Sequence, residues 1–444
     1  MMIILFFLFG LILFFYNFFY KYFLSNFFFF IVFFLLLNCG NSLSNWYFIG
    51  YNLGLNLYSY YLVMLVFFMM GVILKVIDGD NYLCINLNLF LTLVLFLTFC
   101  SLSFLMFYFF FEVSLIIVYI IIIKWGMGIM RMISGFYFMF YTLFFSLPLL
   151  IFILYLTYMF NSSIMLILEL MNVYVNYYLY MYMCMGFLLK VPMYMFHGWL
   201  LKAHVEAPVF GSMVLASILL KLGTYGLLRF LMIFYLNTVN ISKYILIFSI
   251  IGGIYISCVC LRQVDMKVLV AYSSVVHMSL LLSSMFTLMK VGFLGSYILM
   301  ISHGLCSSAL FYLVNIFYSE TGSRLMLINK GLLICMPSMS MLWFFMCSSN
   351  MASPVSLNLV GEILLMMSLI FWMKFIFLFL VFYAFFSFIY SLYMYSYVCH
   401  GKSNFFLKMN SGIMMNYFIL LIHWIPLNFL FLNLVMFYYL NSLN

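Results

Sequence analysis

Six ionisable side chains lie inside apolar runs of this chain: Glu112, Lys190, Lys221, His277, His303 and Glu362. A charge at the centre of a membrane helix costs about 2.5–3.5 kcal/mol on insertion scales. Such groups therefore line a water path, pair with each other, or relay protons. The order of carboxylate, two lysines, imidazoles and carboxylate suits proton transfer. Burial favours the neutral amine of a lysine, while a neighbouring carboxylate favours the ammonium. A lysine whose partner moves can thus hold or release a proton. Arginine does not deprotonate in proteins and cannot do this. The plainer alternative is a set of ion pairs that only fix helix packing. Each histidine, taken singly, also reads as a hydrogen-bonded core residue.

The elements that hold these groups are membrane helices. The chain is 69% hydrophobic and only 6% charged, against roughly 25% charged in a soluble domain. Apolar stretches of about 20 residues, enough to cross the hydrocarbon layer, recur along its length. They are continuously apolar rather than alternating, which argues against a β-barrel. The expected fold is an all-α polytopic membrane protein of about 14 transmembrane helices. The spans fall near 2–19, 23–37, 58–77, 87–103, 105–123, 136–158, 177–200, 209–234, 243–260, 268–288, 292–317, 332–371, 373–397 and 413–438. The N-terminal run reads as the first span rather than a removable signal. The six groups fall near the middles of spans 5, 7, 8, 10 and 11 and at the second part of span 12. That shared depth describes a row parallel to the membrane plane.

Two spans look interrupted. Span 7 contains Lys190-Val191-Pro192, and span 12 has Ser353-Pro354 upstream of Glu362. Proline removes a backbone donor and clashes with the preceding turn. Carbonyls freed in this way are tolerated at membrane depth only inside protein or beside a wet cavity. Interruptions at matching places in two halves point to a transporter-type repeat; ordinary proline kinks are the alternative. Basic residues are also distributed unevenly. Odd-numbered connections hold 11 Lys or Arg and even-numbered connections hold 4, Arg229 among them. The positive-inside rule then puts both termini on the outer side.

Other chemistry finds little support. The ten cysteines are scattered, and Cys258 and Cys260 form the only close pair, without a C-x-x-C. Buried free thiols are the simplest reading. His197 and His204 are seven apart, but His204 falls past the span end beside Lys202 and Glu206. Residues 202–208 read as a polar connection rather than a haem or copper site. There is no phosphate-binding glycine loop, and Gly126-Met-Gly128-Ile-Met-Arg131 breaks the dinucleotide fingerprint. The formal charge of +9 comes without a basic cluster, so no nucleic-acid partner is expected.

Residues 186–208 (GFLLKVPMYMFHGWLLKAHVEAP) and 211–226 (GSMVLASILLKLGTYG) closely resemble the antiporter-like membrane subunits of respiratory complex I. FFEVSL at 110–115, RQVDMKVLVAYSSVVHM at 262–278, HGLCSSALF at 303–311, SLNLVGE at 356–362 and SLYMY at 391–395 extend the likeness. It runs from about 105 to 400. The resemblance implies a single membrane domain over 1–444. N-terminal helices would occupy 1–86, two inverted five-helix repeats 87–234 and 243–397, and a last helix 413–438. It implies that Glu112 and Lys190 form a mobile ion pair and that Lys221 is the central proton carrier. His277 and His303, with water, would lead to Glu362 as the exchange site. It further implies other complex I membrane subunits, lipids, protons and internal water as partners. The setting would be the inner mitochondrial membrane, both termini facing the intermembrane space. No cofactor would be bound by this chain, with FMN, iron–sulfur clusters, NADH and ubiquinone held by other subunits. The chain departs from the family pattern at Leu201 and Val355, where proline is common, and at Thr224, where glycine is common. A cation/proton antiporter of the related bacterial type and a purely structural scaffold are the competing readings.

Overall fold

The computed structural model describes residues 19–37, 46–50, 52–77, 81–171, 173–402 and 413–434, with the single positions 10 and 437. Among these residues the chain forms 17 helices and one small hairpin, β1 (Tyr47–Gly50) paired antiparallel with β2 (Leu53–Leu55). The helices are α1 (Phe19–Leu37), α2 (Leu57–Val76), α3 (Tyr82–Cys100), α4 (Phe104–Trp125), α5 (Arg131–Phe160), α6 (Met165–Leu170), α7 (Tyr177–Lys190) and α8 (Gly198–Glu206). Then follow α9 (Val209–Ile233), α10 (Tyr235–Cys260), α11 (Met266–Met285), α12 (Lys290–Thr321), α13 (Leu332–Cys335), α14 (Pro337–Asn350), α15 (Leu357–Trp372), α16 (Ile376–Cys399) and α17 (Met414–Leu432). Ten of them are long and apolar enough to cross a membrane. At 1.5 Å per residue, about 20 residues span the hydrocarbon core.

The 14-span reading agrees with this order. The span expected at 2–19 lies outside the described residues, save positions 10 and 19. Spans 2 to 6 are α1 to α5. The division between the spans at 87–103 and 105–123 falls at Ser101–Ser103. Ser103 accepts from the backbone N–H of Met106 as the N-cap of α4, which satisfies a donor with no partner inside the helix.

Spans 7 and 12 are broken as expected, each into two helical parts. α7 ends at Lys190 and α8 begins at Gly198; α14 ends at Asn350 and α15 begins at Leu357. Both breaks contain non-glycine residues with left-handed backbone: Met195 (φ 70°) in the first, Ala352 (φ 53°) and Val355 (φ 74°) in the second. Proline fixes φ near −65°, so the backbone at Val355 is one that proline cannot adopt. In each half, three unbroken helices precede a broken one and a fifth helix closes the set. Five crossings per repeat, an odd number, start the second repeat on the opposite side, so the two are inverted.

Residues 202–206 correct one expectation. They are not a connection but the end of α8, the second part of span 7. His204 is fully buried there, its ring stacked on Phe311 with centroids 4.8 Å apart. Cations close the C-terminus of α8, where helix carbonyls lack partners. Lys267 donates to the carbonyls of Val205 (3.1 Å) and Ala207 (2.7 Å). Arg324 donates to Val205 at 2.9 Å. A second correction concerns Arg229. It is not in an even-numbered connection but buried in α9, where it faces Glu169 of α6 at 3.8 Å.

α12 sits at the centre, buried over most of its length. It packs against α11, α15, α14, α9 and α2. The elements that carry Lys221, His277 and Glu362 thus all lean on the element that carries His303.

Candidate functional site

Glu112 projects from the middle of α4 and Lys190 is the last residue of α7. Their charged ends are 3.9 Å apart, with Lys190 almost wholly buried. That is ion-pair distance but beyond hydrogen-bond distance. Lys190 Nζ also lies over the ring of Phe111, 2.7 Å from its centroid, a cation–π contact that favours the charged amine. The C-terminal end of α7 favours a cation as well.

The break after Lys190 is held by specific bonds. Val191 N–H continues the helix to Phe187 O at 2.9 Å, and the Trp199 indole N–H donates to Leu189 O at 3.0 Å. A carbonyl released by the break is thus recovered by a side chain of α8, as a membrane interior requires. α9 approaches the break closely because Gly223 has no side chain. A Cβ there would meet Val191 Cγ2 at 2.9 Å and Lys190 Cβ at 3.0 Å. Lys190, Thr142, Trp199, Leu219 and Leu222 line a small cavity between the break and α9.

Lys221 follows a π-type turn at Leu215–Leu219, in which Leu220 N–H bonds Leu215 O. Such turns inside α-helices are frequent at functional sites. Lys221 is fully buried. Its Nζ donates to Ala216 O at 2.6 Å and lies 3.0 Å from His303 Nδ1. An ammonium has only donors, so opposite Lys221 in its charged form His303 Nδ1 offers its lone pair. Thr224, where the resemblance makes glycine the common residue, is also accommodated. Its hydroxyl donates to Lys221 O at 3.0 Å and reaches Met300 Sδ at 2.9 Å.

From His303 the row continues to His277, whose ring centroid is 5.8 Å away. His277 Nδ1 lies 3.0 Å from Glu362 Oε1. On its other side, Nε2 lies 3.2 Å from Asn350 Oδ1 and 3.2 Å from the Tyr390 hydroxyl. The six residues expected from sequence therefore gather as a pair, Glu112 with Lys190, and a quartet from Lys221 through His303 and His277 to Glu362. The cavity beside Lys190 lies between the two groups' helices. Within the quartet the Lys221–His303 and His277–Glu362 pairs are in direct contact at 3.0 Å, whereas His303 and His277 are related only through rings 5.8 Å apart. Moving a proton from Lys221 to His303 needs no side-chain displacement, only a shift along the 3.0 Å contact.

Phe111, Asn350, Tyr390 and the π turn were not singled out by sequence reasoning. Phe111 adjoins Glu112, and Asn350 is a polar residue next to the break in span 12, so both carried a signal. Tyr390 directly precedes the SLYMY segment and is one tyrosine among 37. The π turn leaves no mark in composition. Among the described residues, no three His, Cys, Asp or Glu side chains are grouped to hold a metal ion.

Comparison with known proteins places the chain. Residues 101–387 match the family described as NADH:quinone oxidoreductase/Mrp antiporter, TM. NADH-ubiquinone oxidoreductase chain 4 of Apis mellifera ligustica is 46% identical over 401 residues, covering 90% of each chain. The chain 4 of Aedes aegypti is 44% identical, covering 87% of this chain and 89% of its own. The fold matches a chain of respiratory complex I from Thermus thermophilus with bound NADH, at a TM-score of 0.82. That match has 19% identity and covers 94% and 93% of the two chains. On these findings, the chain belongs to the NADH:quinone oxidoreductase/Mrp antiporter membrane family and, within it, to the NADH-ubiquinone oxidoreductase chain 4 group.

Proposed function

We propose that this chain is a proton-translocating membrane subunit of NADH:ubiquinone oxidoreductase, and that the six buried groups are its proton relay. The observation that carries this reading is the row from Lys221 to Glu362 inside an apolar bundle, with direct 3.0 Å contacts at its two ends and 5.8 Å between the ring centroids of His303 and His277, a gap for internal water to bridge. Membership of the chain 4 group favours complex I over a separate cation/proton antiporter. Redox chemistry with NADH, FMN, iron–sulfur clusters and ubiquinone belongs to other subunits. This chain's part is to move protons, with internal water, when its neighbours in the membrane change conformation or charge.

The cycle begins at the open ion pair. While Glu112 faces Lys190, the lysine charge is largely balanced. When Glu112 moves away, the uncompensated ammonium repels a proton on Lys221. Two unit charges about 8 Å apart at an effective dielectric of about 20 interact by roughly 2 kcal/mol. That is enough to change occupancy by more than tenfold and too little to drive a whole cycle. The proton on Lys221 Nζ passes to His303 Nδ1, leaving its bonding pair on the amine. A proton is then handed through His277 to Glu362, the exchange site toward the next compartment or subunit.

The reading includes a location and an orientation. The chain is placed in the inner mitochondrial membrane with both termini toward the intermembrane space, because basic residues favour the odd-numbered connections. It divides into N-terminal helices (1–86), two repeats (87–234 and 243–397) and a final helix (413–438). A tag at Asn444 should be reached by a membrane-impermeant label in intact mitoplasts; labelling only after the membrane is opened contradicts the orientation. Function is tested by purification. Tagged chain should bring down flavin- and iron–sulfur-containing subunits with rotenone-type inhibitor-sensitive NADH oxidation. Recovery as a complex that exchanges cations for protons without these subunits favours the antiporter reading.

A further inference from the structure

His277 is held at both ring nitrogens, and by different chemistry at each. Nδ1 faces the Glu362 carboxylate at 3.0 Å. Nε2 faces Asn350 Oδ1 at 3.2 Å and the Tyr390 hydroxyl at 3.2 Å. The three partners come from α15, α14 and α16, so the ring on α11 is enclosed from three helices. His277, Asn350 and Tyr390 are all buried, with no competition from bulk solvent. Which nitrogen of a histidine carries the proton is set by the bond the other nitrogen makes.

We propose that Asn350 is a positioning residue that keeps the proton on His277 Nε2, so that Nδ1 alone exchanges with Glu362, and that Tyr390 fixes the ring plane. The inference rests on the relay reading above and adds the direction in which His277 is wired. A carbonyl oxygen only accepts, so Asn350 Oδ1 stabilises Nε2–H and is left unpaired when that nitrogen is bare. In the imidazolium, Nε2–H is directed to Asn350 Oδ1, and Nδ1 lies 3.0 Å from Glu362 Oε1 as an ion pair. When the Nδ1 proton moves to Glu362 Oε1, its bonding pair stays on Nδ1. The neutral ring that remains still donates from Nε2 to Asn350. No bond at Nε2 is broken in either direction, and the bare Nδ1 is the atom that takes up the next proton, delivered from His303 through internal water across the 5.8 Å between the ring centroids. In the opposite neutral tautomer Nδ1 already carries a proton and can take up no other, and giving it up would leave an imidazolate, so exchange at Nδ1 would stop.

Asn350 is itself fixed by the break in span 12. Ser349, its neighbour, receives the side-chain N–H of Asn358 on its carbonyl at 2.8 Å, which ties the end of α14 to the start of α15. Ser349 Oγ lies 3.2 Å from Cys306 Sγ on α12. On the helix that carries Tyr390, the Tyr383 hydroxyl donates to Val276 O at 2.9 Å, one residue from His277, which ties α16 to α11 beside the ring. The break thus has a task beyond bending the helix: it sets the amide that decides which nitrogen of His277 exchanges.

The test uses the whole complex carrying variants of this chain, read by NADH-driven proton pumping and by infrared difference spectra of ¹⁵N-histidine-labelled enzyme. Asn350→Leu is expected to slow pumping-coupled turnover by between about tenfold and a hundredfold, within the range of a positioned proton-transfer group. It should also shift His277 from the Nε2–H to the Nδ1–H band. Asn350→Asp keeps an acceptor at the same place and is expected to recover most of the rate with the Nε2–H band retained. Packing alone predicts the reverse order, because leucine is accommodated in an apolar core and a buried carboxylate is not. Tyr390→Phe should cost less than Asn350→Leu and leave the tautomer unchanged. An unchanged tautomer in Asn350→Leu, or Asp slower than Leu, overturns the proposal. His277→Leu separates the two levels. If it pumps normally, the relay reading fails; if it stops while Asn350→Leu pumps at the normal rate, only the positioning role fails.

Discussion

Lys221 Nζ and His303 Nδ1 are 82 residues apart in sequence and 3.0 Å apart in space. Both are buried, and among the described residues neither is paired with a carboxylate and Lys221 has besides only the Ala216 carbonyl. An ion pair built for stability would set a carboxylate against this lysine. A lysine set against an imidazole instead places two bases at hydrogen-bond distance. On the proposed relay, this contact between α9 and α12 is where the proton moves, and the predictions below test that reading.

The Glu112–Lys190 pair should behave as a switch rather than a strut. Glu112→Gln keeps the shape and removes the charge. It is expected to leave assembly of the complex unchanged and to lower pumping-coupled NADH oxidation by at least about tenfold. Lys190→Met should do the same, and the double variant should be no worse than either single one, since both break one unit. Native gels and oxidation rates check this. Additive losses would mean that the two residues act separately.

Gly223 sets the approach of α9 to the break after Lys190. In Gly223→Ala the new methyl must push against Val191 and Lys190 at 2.9 and 3.0 Å. Overpacking of this kind costs about 1–3 kcal/mol. Lower thermal stability of the membrane arm is expected, together with slower turnover as the cavity beside Lys190 changes shape. Stability and rate both at the parental level would show that the break yields freely.

Val355 carries a β-branched side chain at a φ of 74°, a region that such residues rarely occupy. The strain is on the order of 1–3 kcal/mol. Val355→Gly is expected to be tolerated or mildly stabilising. Val355→Pro forces φ near −65° and should impair stability and turnover, although the family often has proline here. Differential scanning of the purified complex and NADH oxidation decide the matter; a proline variant equal to the glycine one would show that the break reshapes without cost.

Much of this arrangement was legible in the sequence, for physical reasons. A charge in lipid is expensive, so Glu112, Lys190, Lys221 and Glu362 stood out against 69% hydrophobic residues. Pro192 and Pro354 marked the two breaks, because proline cannot complete a helix ladder. The ends of the spans were harder. Residues 202–206 carry mixed charges and read as a connection, yet Lys267 and Arg324 supply donors to the last carbonyls and let α8 continue through them. Arg229 reads as interfacial by position, but Glu169 lies beside it and it stays buried. Asn350 and Tyr390 escaped notice because uncharged polar residues cost little in sequence terms. Their importance comes from what they face, and His277 reaches both only after α14 and α16 have folded against α11.

Exchange of Lys221 for arginine or methionine, with proton pumping measured per NADH oxidised in reconstituted vesicles, tests the central claim most directly. Methionine removes the carrier, and arginine retains a charge that is never released. The account predicts that both variants assemble and that both lose pumping-coupled turnover, with arginine no better than methionine. A Lys221→Arg complex that pumps at the normal rate and ratio would contradict it, since a fixed charge would then suffice and no proton need pass through this residue.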